Sequence, residues 1–108
     1  MNWLALTAEA QFAEALKEQP LFGVFKHSTR CSISNMAKNR LERDWRFDFP
    51  IYYLDLLNYR PISNLIADTS KVQHESPQLI VFQNGKAIYA ASHNGIVMDD
   101  VQAAITKQ

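Results

Sequence analysis

A second cysteine is what this chain most clearly lacks: Cys31 is the only one among 108 residues. No disulfide can close within the chain, so any disulfide made by Cys31 must join another molecule. Secreted domains built on disulfides carry several cysteines, and a lone thiol points instead to a reducing, cytoplasmic setting. Histidine is scarce as well. His27, His74 and His93 are scattered without ligand spacing, and one cysteine offers no zinc set, so no metal site is expected. An excess of charge of either sign is also missing, with Lys+Arg and Asp+Glu balanced at 11 each. That leaves no global field to draw the chain to nucleic acid or to an anionic membrane. No apolar run approaches the roughly 18 residues of a membrane span. The start, Met1-Asn2-Trp3-Leu4-Ala5-Leu6, has neither a basic region nor a long apolar core and does not read as a secretory signal. Repeats, linkers and low-complexity segments are absent.

What is there has the balance of a globular protein, 47% hydrophobic and 20% charged, with room for one domain over residues 1–108. Residues 2–5 suit a short first strand. Thr7 reads as a helix N-cap, with Ala8, Phe12, Ala15 and Leu16 at helical spacing to about Glu18. After Pro20, the run Leu21-Phe22-Gly23-Val24-Phe25-Lys26 fits a strand buried on both faces. Ile33, Ala37, Leu41 and Trp45 recur every four residues and predict an apolar stripe on a helix starting near Cys31 or Ser32. Its other face, with Lys38, Arg40 and Arg43, reads as solvated; the interspersed Glu42 and Asp44 argue against nucleic-acid binding.

Beyond Pro50, Ile51-Tyr52-Tyr53-Leu54-Asp55-Leu56 is a strand by its branched and aromatic residues. Pro61 fits a first helical turn, and Ile62, Leu65, Ile66 and Thr69 mark that helix's buried side. His74-Glu75-Ser76-Pro77 breaks the pattern before Leu79-Ile80-Val81-Phe82. Asn84-Gly85 then signals a hairpin, returning as Ala87-Ile88-Tyr89-Ala90. A last helix follows His93-Asn94-Gly95, with Val97, Met98, Val101, Ala104 and Ile105 on one side. The order βαβαβα-ββα predicts an α/β fold with a mixed sheet of four to five strands and helices on both faces.

Chemistry concentrates at Phe25-Lys26-His27-Ser28-Thr29-Arg30-Cys31-Ser32-Ile33-Ser34, a strand-to-helix junction. The first turn of a helix offers unpaired backbone N–H groups and the positive end of its dipole, which favour a thiolate. Lys26 and Arg30 would favour the anion, while apolar burial would oppose it. Ser34, one turn on, is either a hydrogen-bond donor to that thiolate or an ordinary first-turn polar residue; Ser32, between them, is a further candidate to support the thiolate. His27 either acts on the thiol or satisfies a backbone group, the second being the commoner use of such a histidine.

The element order, with a cysteine after the second strand and a proline before the fourth, resembles the thioredoxin fold. FKHSTRCSIS, NYRPISNLIA, HESPQLIVF and ASHNG together, spread over residues 25–95, resemble the YtxJ-like family, the monothiol bacilliredoxins. The family commonly has proline after the cysteine where this chain has Ser32, a change that leaves the nucleophile and Ser34 in place. The resemblance implies removal of bacillithiol from mixed disulfides on oxidised proteins, with Cys31 as nucleophile. Ser34 would then stand where dithiol relatives carry their resolving cysteine. Thr29, Ser76, Pro77 and His93 become substrate-contact candidates, with Glu75 behind them, since the proline before the fourth strand of such folds is usually cis and faces the cysteine. Arg30 could grip a carboxylate of the malyl group of bacillithiol. The expected partners are bacillithiolated proteins, the small thiol as co-substrate and an external reductant or reductase, with no tightly bound cofactor. Two other readings remain: an iron–sulfur cluster shared with external thiols, as in monothiol glutaredoxins, whose Cys-Gly-Phe-Ser glycine is missing here, and a non-catalytic peptide-binding adaptor.

Overall fold

Backbone pairing in the computed structural model, which describes residues 1–106, joins five strands in the order β1-β3-β2-β4-β5. Lys107 and Gln108, part of the expected domain, lie outside the described residues. The strands are β1 (Trp3–Ala5), β2 (Leu21–His27), β3 (Ile51–Asp55), β4 (Gln78–Gln83) and β5 (Lys86–Ser92). Between them run α1 (Glu9–Glu18), α2 (Ser32–Asp44) and α3 (Arg60–Ser70), and α4 (Met98–Thr106) follows a short 3-10 turn at His93–Gly95. β1, β3 and β2 pair in parallel, as crossovers through helices require, whereas β4 and β5 run antiparallel at the other edge. The βαβαβα-ββα order and the mixed sheet are those expected.

Alternation along β2 sorts the core into two halves, because successive side chains of a strand point to opposite faces. Phe22 and Val24 pack with Phe12 and Ala15 of α1 and Ile62 and Ile66 of α3. Phe25 packs on the other side with Ala37 and Leu41 of α2 and Met98 and Val101 of α4. The first half is built on aromatics: Phe22 stacks on Phe82 with ring centroids 4.9 Å apart, and Phe12 meets Phe82 edge-on at 5.5 Å. Each such fully buried ring contributes on the order of 2–3 kcal/mol by leaving water. Gly23 lets Ile51 close against the strand, since a Cβ there would meet Ile51 Cδ1 at 2.8 Å. At the β4–β5 hairpin, Asn84 (φ 51°) and Gly85 (φ 80°) both take positive φ, the geometry that makes Asn-Gly the favoured tight-turn pair.

Several local expectations give way to the packing. Helix α1 is capped at Ala8 rather than Thr7; the Gln11 side chain reaches back and its Oε1 accepts from the backbone N–H of Thr7 (2.7 Å) and Ala8 (2.9 Å). On α2 the buried positions are Ser34, Ala37 and Leu41, and Ile33 is 55% exposed. A stripe spaced strictly by four drifts around a helix of 3.6 residues per turn, so Ile33 rotates out toward solvent. On α3, Thr69, expected on the buried side, is exposed and Ser63 is buried instead. Val97 lies ahead of α4 and is exposed, while Ile96 takes the buried place. Trp45, Phe47 and Phe49 after α2 pack on one another, with centroids 5.1 to 5.3 Å apart, and carry the chain back to β3.

Candidate functional site

Strand register brings the chemistry-bearing loops to one edge of the sheet. Lys26 pairs with Gln78 and His27 with Asp55, while Gln78 pairs in turn with Ser92. The segments that follow β2, β3 and β5 and the segment that precedes β4 therefore meet at that edge. Cys31, Asn58, Pro77 and His93 lie on these segments. His93 N–H donates to the carbonyl of Pro77 at 3.2 Å, tying two of the segments together.

Cys31 is the N-cap residue of α2, in extended backbone geometry (φ −102°, ψ 119°), and is partly exposed. A tight turn delivers it there: Cys31 N–H donates to Ser28 O at 3.1 Å, and Cys31 O accepts from Asn35 N–H at 3.0 Å as the first helical bond. Asn35 also braces the approach, with Nδ2 donating to Thr29 O at 3.4 Å. Side chains at an N-cap can accept from the free N–H groups of the first turn, a position that favours a sulfur anion, although the Cys31 side chain makes no cap hydrogen bond in this structure. The thiol is free, and the chain holds no second cysteine to pair with it. Thr29 and Arg30 are exposed beside Cys31 in the loop, and Ser32 is exposed on the first turn.

Ser34 is fully buried and faces inward. Its Oγ accepts from Ser28 N–H at 3.1 Å and lies 2.6 Å from His27 Nδ1. His27, on the α2 side of β2, packs against Phe25 and Tyr53 with ring centroids 5.8 and 5.4 Å away. Its pKa is lowered from the ordinary imidazole value, first by burial and then by the Lys38 charge; Asp55, the Asn35 side chain and Glu42 work in the opposite sense. The structure thus gives His27 a side-chain partner, Ser34, where a backbone partner was the commoner expectation.

Lys26 corrects the sequence reading. It is fully buried but points to the face opposite Cys31 and α2, where Nζ donates to Ser63 O at 3.4 Å and lies 3.3 Å from His74 Nδ1. Alternation along β2 decides this, because neighbours Lys26 and His27 must take opposite faces. Burial, helped by the Arg60 charge, lowers the lysine pKa to about 8. His74 also meets Ser63 Oγ at 3.1 Å and Arg60 Nη1 at 3.0 Å, and burial followed by Lys26 and Arg60 lowers its pKa, against a small pull from Glu75. Neutral His74 has one lone-pair nitrogen, so it can accept from Arg60 or from Lys26 but not from both.

The Ser76–Pro77 peptide bond is cis, as the resemblance implied. Ser76 is partly exposed and Pro77 buried. Gln78, absent from the candidates, holds this loop: its Nε2 donates to Gln73 O at 3.1 Å and its Oε1 accepts from Glu75 N–H at 3.3 Å. Arg40, expected on a solvated face, instead donates to His93 O at 2.6 Å and Asn94 Oδ1 at 3.1 Å, fixing the turn after β5. Ile33, Met36, Ala37, Arg40, His93 and Asn94 line a groove of about 330 Å³ running along α2 from the turn that carries Cys31. Nothing in the sequence pattern marks Arg40, since its partners are more than 50 residues distant, and Gln78 meets its partners, 3 and 5 residues back, only through the bend of the loop.

A family model described as monothiol bacilliredoxin BrxC matches residues 4–101. A solved thioredoxin-fold protein assigned as an oxidoreductase is 31% identical, with a TM-score of 0.81 over 95% of this chain and 93% of its own. Thioredoxin from Trypanosoma brucei brucei superposes with a TM-score of 0.77 at 16% identity, covering 99% of this chain and 93% of its own. A mutant thioredoxin from Halobacterium salinarum NRC-1 gives 0.73 at 11% identity, with coverage of 98% and 89%. The two thioredoxins show likeness of fold alone.

Proposed function

The chain belongs to the monothiol bacilliredoxin family typified by BrxC, a thioredoxin-fold redox family, and from that premise we propose that Cys31 removes bacillithiol from protein mixed disulfides. The observation that carries the reading is the partly exposed Cys31 at the N-cap of α2, the sole thiol of the chain, at the edge where the cis-proline loop also ends. In the first step the Cys31 thiolate attacks the bacillithiol sulfur. A Cys31–bacillithiol disulfide forms, the original S–S bond breaks, and its electron pair leaves on the substrate protein's sulfur, which takes a proton from water. In the second step a bacillithiol thiolate or an external reductant attacks the sulfur attached to Cys31. With bacillithiol the products are its symmetric disulfide and the free Cys31 thiolate.

Ser76 beside Pro77, Thr29 and His93 are the proposed contacts for the substrate backbone, because they are exposed or partly exposed on segments that end at the sheet edge carrying Cys31. Arg30, exposed and adjacent to Cys31, is proposed to take a carboxylate of the small thiol, which a guanidinium fork suits. Ser32 and Ser34 are proposed to support the thiolate through the first turn. Bacillithiol is a co-substrate in this scheme and no resident cofactor is invoked.

One carrier protein bearing in turn a bacillithiol, glutathione or cysteine mixed disulfide provides the test. Mass spectrometry is expected to show the bacillithiol adduct moving to Cys31, fastest among the three, and no transfer in Cys31→Ser. Equal rates for all three thiols would remove the bacillithiol assignment, and absence of any adduct on Cys31 would remove the mechanism.

A further inference from the structure

We infer that His74 is a proton-linked latch between Lys26 and Arg60: with Lys26 charged its Nδ1 accepts from the lysine and Arg60 is released, and with Lys26 neutral its Nε2 accepts from Arg60 and pins the guanidinium. The geometry follows from the groups around one ring. Nδ1 lies 3.3 Å from Lys26 Nζ and 3.1 Å from Ser63 Oγ, while Nε2 lies 3.0 Å from Arg60 Nη1. A neutral imidazole has one N–H and one lone pair, and a guanidinium only donates. The 3.0 Å contact therefore places the proton on Nδ1, facing Ser63 Oγ and the lysine nitrogen. An ammonium in that place sets N–H against N–H, whereas a neutral amine offers its lone pair. Lys26 donates to Ser63 O at 3.4 Å in either state, so its nitrogen changes role without leaving its place.

The charged groups bearing on the ring are Lys26 from β2, Arg60 from the first turn of α3 and Glu75 from the loop itself, which pulls against the two cations. Neither Lys26 nor Arg60 makes an ion pair among the described residues, so no carboxylate fixes the proton on the lysine. Burial and the Arg60 charge bring Lys26 down to about 8, and burial with both cations holds His74 below the ordinary imidazole value. The lysine, then, is the group that changes charge just above neutral pH, while the histidine stays neutral. The latch acts on the loop that ends at Ser76–Pro77. Gln78 holds that loop at Gln73 O and Glu75 N–H, and Arg60 closed on His74 ties the residue between them to α3. Once released, Arg60 is an exposed cation on the segment that follows β3, one of those meeting at the Cys31 edge.

The latch involves neither Cys31 nor a substrate, so it stands or falls apart from the bacillithiol assignment. Nitrogen NMR of the His74 ring reads the tautomer directly and is followed from pH 7 to pH 10 in wild type, Lys26→Met and Arg60→Met. In wild type the ratio of Nδ1–H to Nε2–H is expected to rise about tenfold with a midpoint at about 8, the worth of one hydrogen bond involving a charged group. Lys26→Met is expected to hold the Nδ1–H form throughout, because only Arg60 and Ser63 then face the two nitrogens. A wild-type tautomer that does not change with pH overturns the inference, and so does the same change in Lys26→Met. Should Lys26→Met fail to fold, Arg60→Met, at an exposed position, decides: a ratio above pH 8 several-fold below that of wild type is expected, and a ratio equal to wild type overturns the latch.

Discussion

Lys26→Met should make this protein more stable at neutral pH, although it deletes hydrogen bonds. Lys26 is fully buried, makes no ion pair among the described residues, and donates only to Ser63 O and toward His74 Nδ1. Its pKa falls from 10.5 to about 8, a penalty on the charged form of at most about 3 kcal/mol at pH 7. Solvent screening from the side of the partly exposed His74 reduces that to roughly 2 kcal/mol. The hydrogen bonds lost with the ammonium give back about 1 kcal/mol, while methionine matches the stem and removes the repulsion from Arg60. A net gain of about 1 kcal/mol is expected at pH 7. The pH dependence is the sharper signature. Between about 8 and 10.5 the unfolded wild type binds the lysine proton more than the folded one does, so wild-type stability rises with pH relative to the variant. Above 10.5 both forms hold a neutral amine and the variant's advantage should be gone. Urea unfolding of both proteins from pH 7 to pH 11 measures the difference, in which groups common to the two cancel. A variant less stable than wild type at pH 7, or a difference that stays flat across the range, would refute the reasoning.

Three further perturbations test the packing and the loops. Gly23→Ala should cost about 1–2 kcal/mol in urea unfolding, because its Cβ would press on Ile51 Cδ1 at 2.8 Å in a filled core. Gly85→Ala should cost about 1 kcal/mol, through the φ of +80° at the hairpin rather than through any clash, since the nearest atom, Leu16 O, is 3.5 Å away. Arg40→Met should leave global stability within about 0.5–1 kcal/mol but speed amide hydrogen exchange at residues 93–96, whose turn loses the guanidinium at His93 O and Asn94 Oδ1.

What the sequence determined by itself was the order of elements and the place of the nucleophile. Apolar runs with branched and aromatic residues, the Pro61 helix start and the Asn84-Gly85 turn act over a few residues, and each predicted its strand, helix or hairpin to within a few positions. The solitude of Cys31 and its place at a helix start are equally local facts. Tertiary structure decided which way side chains point and whom they meet. Lys26 and His27 are chain neighbours of similar polarity, and only the register of β2 within the sheet sent one to His74 and the other to Ser34. Ile33 fits a four-residue stripe on paper, whereas the seating of α2 on the sheet exposed it and buried Ser34. Arg40 reads as a surface charge until the turn after β5, more than 50 residues on, comes under its guanidinium. Short-range preferences are written into neighbouring residues, but a hydrogen bond between distant ones exists only after the chain has folded, and the surroundings of Cys31 are made mostly of the second kind.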